Sequence, residues 1–140
     1  MSASYWEHFE HQADIGVRGI APTLAQAFEQ TARGLTAVIV EPDQVAQKQE
    51  RRIECEAPDH ELLLVEWLNQ IIFLMATERM LFSRFAVHIE DHHLQARIYG
   101  EAIDRARHQP TVEIKGATYT ALAVRQQDDG TWLAQTVVDV

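Results

Sequence analysis

Apolar residues surround most of the helix predicted over residues 60–79, and this feature limits the folds open to the chain. They form two adjoining stripes at steps of three and four residues: Leu63, Trp67, Ile71 and Leu74, then Leu64, Leu68, Ile72 and Met75. A helix with so wide an apolar surface is stable in water only when other elements cover it. Asp59 precedes the segment and is its predicted N-cap. The pattern therefore predicts a helix at the centre of the core.

A second helix is predicted over residues 23–40, where apolar residues follow one face. Thr23 begins it, and Gln26 three residues later completes the spacing of a capping box. Pro42 and Asp43 close the segment, because proline lacks the backbone N–H that a helix interior needs.

Most other segments alternate apolar and polar residues, which is typical of strands with one buried face. These segments are 51–57, 85–89, 94–102, 117–125 and 131–140. The turn at 91–93 predicts one hairpin, and the Asp129-Gly130 pair predicts a second hairpin with a type I′ turn. Two main helices among antiparallel strands predict a single two-layer α+β domain over residues 1–140.

The charge balance narrows the classes of partner. The chain has 12 Lys and Arg residues against 21 Asp and Glu residues, a formal net charge of −9. Such acidity argues against direct binding to a nucleic-acid backbone, because that binding depends on neutralising phosphates. It suits a basic protein partner or a hard cation.

The cysteine content and the length of the apolar runs indicate the cellular compartment of the protein. The single cysteine, Cys55, excludes an internal disulfide and a multi-cysteine zinc site, and is expected to be a buried structural thiol. Residues 1–14 lack the basic start and apolar run of a signal peptide, and no apolar run approaches the length of a membrane span. We therefore expect a cytoplasmic protein that does not associate with membranes.

Motifs of several enzyme classes are absent. The sequence has no GxxxxGK[ST] phosphate loop, GxGxxG dinucleotide motif, HExxH zinc-protease motif or GxSxG nucleophile elbow. Their absence favours a protein that is not an enzyme.

Residues 8–14 hold two histidines and two acids, a composition compatible with a transition-metal cluster. In an extended strand His8 and His11 point to opposite faces, so joint ligation requires a bend between them. Asp14 stands at the entry to the apolar strand 15–17, where a carboxylate is held in fixed geometry. From the pattern alone it is either a metal ligand or an ordinary turn residue.

The last two residues, Asp139 and Val140, continue an alternating strand pattern. If this end is held in place, the α-carboxylate of Val140 lies next to Asp139, and neighbouring carboxylates repel unless a cation or basic group neutralises them. A divalent ion with oxygen ligands suits that role, and an exposed strand end is the alternative. Lys115 is a third candidate, either as a ligand for phosphate or a partner carboxylate or as a solvated lysine.

The order and spacing of three sets of residues resemble the archease family over nearly the whole chain. The sets are 9–17 with 23–24 and 27–29; 62–69 with 81–82 and Phe85; and 100–101, 113–115, 117–119, Trp132 and 138–140. The sequence departs from the family pattern at Gln12, Gly116 and Thr120, where many members have Thr, Ala and His.

The resemblance implies an accessory protein, not an enzyme, that partners an RtcB-type RNA ligase in tRNA splicing and RNA repair. Such a ligase joins an end with a 3′-phosphate or 2′,3′-cyclic phosphate to a 5′-hydroxyl, and the accessory protein promotes its guanylylation and multiple turnover. Contact with RNA is then only through the ligase. The alternatives are a chaperone or modulator of RNA-modifying proteins and a free-standing metal-dependent enzyme acting on nucleotides.

The resemblance also implies a divalent-metal site at Asp14, Asp139 and Val140. All three supply oxygen donors, which favours Ca²⁺, with Mg²⁺ or Mn²⁺ as alternatives, over softer metals. His11 and Lys115 are expected to form a partner surface beside this site. The departures leave the ligand positions intact, but Thr120 changes that surface.

Overall fold

The computed structural model describes residues 3–140. Its main helices are α1, Leu24–Ile39, and α2, His60–Glu78, with a short α3, Arg105–His108. The strands are β1 Tyr5–His11, β2 Asp14–Ala21, β3 Gln49–Glu56, β4 Met80–Glu90, β5 His93–Ala102, β6 Gly116–Ala117, β7 Ala123–Gln126 and β8 Trp132–Asp139. A 3₁₀ turn occupies Pro42–Gln44.

The strands form two antiparallel sheets that are connected by the helices. The larger has the order β1-β2-β8-β6, with β7 also pairing with β8, and the smaller has the order β3-β5-β4. Both α1 and α2 contact both sheets, and buried residues from all these layers form one hydrophobic cluster. The predicted α+β class with antiparallel sheets and two main helices is confirmed. Residues 1–2 of the predicted single domain, 1–140, lie outside the described residues.

Both helices begin at their predicted caps. The Thr23 hydroxyl accepts a hydrogen bond from the backbone N–H of Gln26, and the Asp59 carboxylate accepts one from that of Leu62. Each cap satisfies a backbone N–H that has no partner within the helix. Arg79 ends α2 in the left-handed conformation, with φ of 53°.

Helix α2 lies at the centre of the core, as predicted. Trp67 is fully buried, its indole N–H donates to the carbonyl of Phe28 at 3.1 Å, and its ring meets that of Phe85 edge-on. One side of the helix is not covered, since Phe73 is 62% exposed. Within residues 3–140 we find no helix that is both long and apolar enough to span a membrane.

The second hairpin differs from the prediction. The arm expected over 117–125 is divided into β6 and β7, because residues 118–122 leave the sheet as a turn. The connection from β7 to β8 is not a type I′ turn, since Gly130 alone in it has a positive φ, 90°. Asp129 instead accepts hydrogen bonds from the backbone N–H and hydroxyl of Thr131, which stabilise a longer loop.

Candidate functional site

One end of the larger sheet carries the residues singled out in the sequence. Strands β1 and β2 form a tight hairpin, with Gln12 at a φ of 54°, and the last pair before this turn is His11 with Asp14. On its other side β2 pairs with β8, as far as Ile15 with Val138. Continuing this register by one residue sets Asp14 opposite Asp139. Residues directly opposite in antiparallel strands share a face, so His11, Asp14 and Asp139 follow one row across the sheet.

This row lies on the face turned away from α1. Val17 is fully buried in the core, and Gly19 lies so close to Ala27 and Thr31 of α1 that a side chain would overlap them. These odd-numbered residues of β2 therefore face α1, and strand alternation turns Asp14 to the opposite face. Asp14 is half-buried and Asp139 is exposed.

Lys115 and Val140, the two other candidate residues, lie next to the row of His11, Asp14 and Asp139. The N–H of Lys115 donates to the carbonyl of Asp139 at 2.7 Å, and Gly116 pairs with Asp139 in the sheet. Val140 packs its side chain partly against the core, which holds this end of β8 in place. Lys115 is exposed, and its ammonium makes no ion pair within residues 3–140.

The donor set has the chemistry of a hard-cation site. In the described part of the chain no Lys, Arg or His side chain forms an ion pair with Asp14, Asp139 or the Val140 carboxylate. The same residues, 3–140, contain no group of three His, Cys, Asp or Glu side chains arranged to hold a metal. The side chains of the described residues therefore do not form a complete metal site by themselves.

His8 and His11 are separated, as strand alternation predicts. His8 lies opposite the buried Val17, and its Nε2 is 2.8 Å from the carbonyl oxygen of Gly34 in α1. His11 lies on the other face, at the end of the hairpin. The two histidines therefore cannot share one metal in this structure.

Asn69 is a positioning residue to which the sequence analysis gave no role. Its side-chain oxygen accepts a hydrogen bond from the backbone N–H of Ala117 at 2.9 Å, which ties β6 to α2. This bond fixes the strand that follows Lys115. The signal in the sequence was a pair of adjacent amides, Asn69 and Gln70, outside the two apolar stripes of α2.

A buried polar cluster around Glu101 also escaped the sequence analysis. Glu101 is 3% exposed, and its carboxylate lies 2.7 Å from the Arg107 guanidinium and 2.9 Å from Nε2 of His108. Nδ1 of His108 accepts from the backbone N–H of Asp104, so Nε2 carries the proton donated to Glu101. The alternating pattern of β5 predicts that Ala102 faces the core and Glu101 faces solvent. In the structure Ala102 is exposed and Glu101 is buried. The cluster anchors α3 and the segment that leads to Lys115.

The pKa values of Glu101 and Cys55 are shifted in opposite directions. The hydrogen bond from Arg107, together with those from the backbone N–H of Ala46 and from His108, lowers the pKa of Glu101 to about 2 against the opposing effect of desolvation. Burial, and then the negative charge of Glu66, raise the pKa of the Cys55 thiol to about 11. Cys55 is half-buried against the core, and so high a pKa suits an inert thiol.

Comparison with known proteins finds relatives that match nearly the whole chain. A model of the Archease protein family (MTH1598/TM1083) matches residues 6–140. The protein archease of Pyrococcus abyssi and that of Pyrococcus furiosus are each 40% identical to this chain over 139 residues, covering 96% of it and 98% of their own length.

Solved structures show the same fold. The solution structure of Methanobacterium thermoautotrophicum protein 1598 superimposes with a TM-score of 0.84 at 30% identity, covering 96% of this chain and 98% of that one. A Thermotoga maritima archease, described as a possible chaperone, has a TM-score of 0.57 at 17% identity over 94% of each chain, and supports the fold alone. The family match over nearly the whole chain, together with the 40% identity, shows that this chain belongs to the archease family.

Proposed function

We propose that this protein is a non-enzymatic accessory factor of an RtcB-type RNA ligase, and that it promotes guanylylation and multiple turnover of the ligase. Membership of the archease family is the observation that carries the proposal. The net charge of −9 suits a basic surface on the ligase and argues against direct contact with RNA.

A divalent cation at the end of the larger sheet is part of this proposal. Asp14, Asp139 and the α-carboxylate of Val140 would hold it, and all three supply the oxygen donors that Ca²⁺, Mg²⁺ and Mn²⁺ prefer. Two observations support the fit. The β2–β8 register ends at Ile15 and Val138, and one further step sets Asp14 opposite Asp139. Neither aspartate has an ion pair within residues 3–140. We expect Ca²⁺ to be preferred.

His11 and Lys115 form the proposed partner surface. His11 continues the row of Asp14 on β1, and Lys115 is held beside Asp139 by its backbone hydrogen bond. An exposed lysine next to the metal site would offer its positive charge to a partner carboxylate or phosphate. Three anionic donors exceed the charge of one divalent ion, and water or a group of the partner would complete its coordination.

A general chaperone and a free-standing enzyme are the two alternatives to this function. The description of the Thermotoga maritima relative as a possible chaperone favours a general chaperone as the second candidate. A generic chaperone has no need of Asp14, because that carboxylate lies outside the core. A free-standing enzyme acting on nucleotides would turn over GTP with metal and without any ligase.

The deciding experiment is a time course of guanylylation and RNA joining by a matched RtcB-type ligase. We expect this protein to convert a single turnover into many, Asp14→Ala to lose that effect, and the exposed turn variant Asp128→Ala to retain it. Equal rates with and without the protein would refute the ligase proposal. Full activity of Asp14→Ala would favour the chaperone, and GTP consumption without ligase would favour the enzyme.

A further inference from the structure

A cleft of about 760 Å³ opens between the C-terminal half of α2 and the segment that follows α3. Its apolar lining includes Ile72, Met75, Ala76, Met80, Val112 and Ile114. Among these residues Val112 is 37% exposed. A concave, largely apolar lining of this volume is the form that peptide and ligand sites take.

The cleft also carries unpaired positive charge. Arg79 at the end of α2 and Arg105 at the start of α3 both line it, and neither forms an ion pair within residues 3–140. Glu113 is the acidic residue in the lining, so the guanidinium groups outnumber it by two to one. In a chain with a net charge of −9, this is a local excess of positive charge.

One wall of the cleft presents free backbone. Thr111 is anchored by its N–H to the carbonyl of Ile39, and Lys115 by its N–H to that of Asp139. Between these anchors, Val112, Glu113 and Ile114 make no backbone hydrogen bond within the described residues. Val112 and Glu113 are exposed, and backbone N–H and C=O groups without partners on such a segment are available to pair with another chain.

We propose that this cleft binds an extended peptide segment of a partner protein, one that carries both apolar and acidic side chains. The free backbone of 112–114 pairs with the peptide as an added strand, the apolar lining takes its apolar side chains, and Arg79 and Arg105 bind its carboxylates. Because Lys115 follows this wall directly, a partner at the end of the larger sheet is within reach of the cleft. The peptide test below does not depend on the identity of the ligase.

The probe is a fluorescein-labelled peptide of about eight residues that alternates Val and Glu, a length typical of one strand. Fluorescence anisotropy should show saturable binding with a Kd below ~1 mM. The double variant Arg79→Gln/Arg105→Gln should bind about tenfold more weakly, because two exposed ion pairs are lost. Arg125→Gln, an exposed arginine of β7 outside the cleft, is the matched control and should bind as the wild type does. Backbone NMR shifts should map to 110–114 and α2.

Several results would overturn the proposal. One is the absence of saturable binding up to ~1 mM peptide. Another is that the peptide with Lys in place of Glu binds with the same affinity as the original. A third is that the NMR shift changes map to residues outside the cleft. Equal binding by a folded double variant would also overturn it. Circular dichroism establishes folding, and if the double variant is unfolded the Lys-peptide comparison and the NMR map still decide. Self-association of the protein that Val112→Ser abolishes would assign the cleft to a second copy instead.

Discussion

Glu101 shows how surroundings change the chemistry of one residue. Its carboxylate is buried, yet it is charged, because Arg107, His108 and a backbone N–H of Ala46 all donate to it. A buried charge without such partners costs several kcal/mol. At this scale, a single buried glutamate holds α3 in place through Arg107 and His108.

The depressed pKa of Glu101 predicts an acid-dependent stability. The folded-state pKa is about 2 and the ordinary value is 4.5, so the charged form is favoured by folding. Its contribution is complete above the ordinary pKa and is lost as the pH falls toward 2. We expect the Tm difference between wild type and Glu101→Gln to be full above about pH 5 and to close toward pH 2. Glu56→Gln, an exposed strand position, should show no such pH-dependent difference, and a gap for Glu101→Gln that persists unchanged at pH 2 would contradict the assignment.

At the scale of elements, α2 connects the core to the candidate site. Its buried side packs Trp67 against Phe85, while Asn69 on another side holds β6. A change in the packing of this helix would therefore reach both the stability of the fold and the strand next to Lys115.

Trp67→Ala is expected to cost about 3–5 kcal/mol in the free energy of unfolding, as a large-to-small change in a packed core. It removes a fully buried ring and the hydrogen bond to the carbonyl of Phe28. The control is Phe73→Ala on the same helix, which should change stability by less than about 0.5 kcal/mol because its ring is mainly exposed. Urea denaturation measures both, and equal small effects would show that α2 is peripheral.

At the scale of the whole molecule, the candidate metal site joins the two ends of the chain. Asp14 follows the first hairpin turn and Asp139 is the penultimate residue, and the pairing of β2 with β8 brings their strands together. Neither strand positions both carboxylates by itself, so the proposed metal affinity depends on the folded sheet.

Calorimetric Ca²⁺ titration tests this arrangement. Loss of groups that only orient metal ligands costs about 10- to 100-fold in affinity. Asp14→Ala and Asp139→Asn should therefore weaken Ca²⁺ binding at least about tenfold without unfolding the protein. One residue added after Val140 should weaken binding as well, because it displaces the α-carboxylate. Asp128→Asn, in an exposed turn, should match the wild type, and indistinguishable curves for all these proteins would eliminate the site.

Features that depend on neighbouring residues along the chain could be predicted from the sequence. Helix bounds follow from apolar periodicity and from the caps Thr23 and Asp59, and both predicted helices agree with the structure to within a residue or two. The hairpin of β4 and β5 also follows from local alternation and the polar turn at 91–93. Three features required the folded structure: the division of the last hairpin, the burial of Glu101 and the common row of Asp14 and Asp139. These depend on strand register and on buried hydrogen-bond partners distant in sequence, which periodicity does not report.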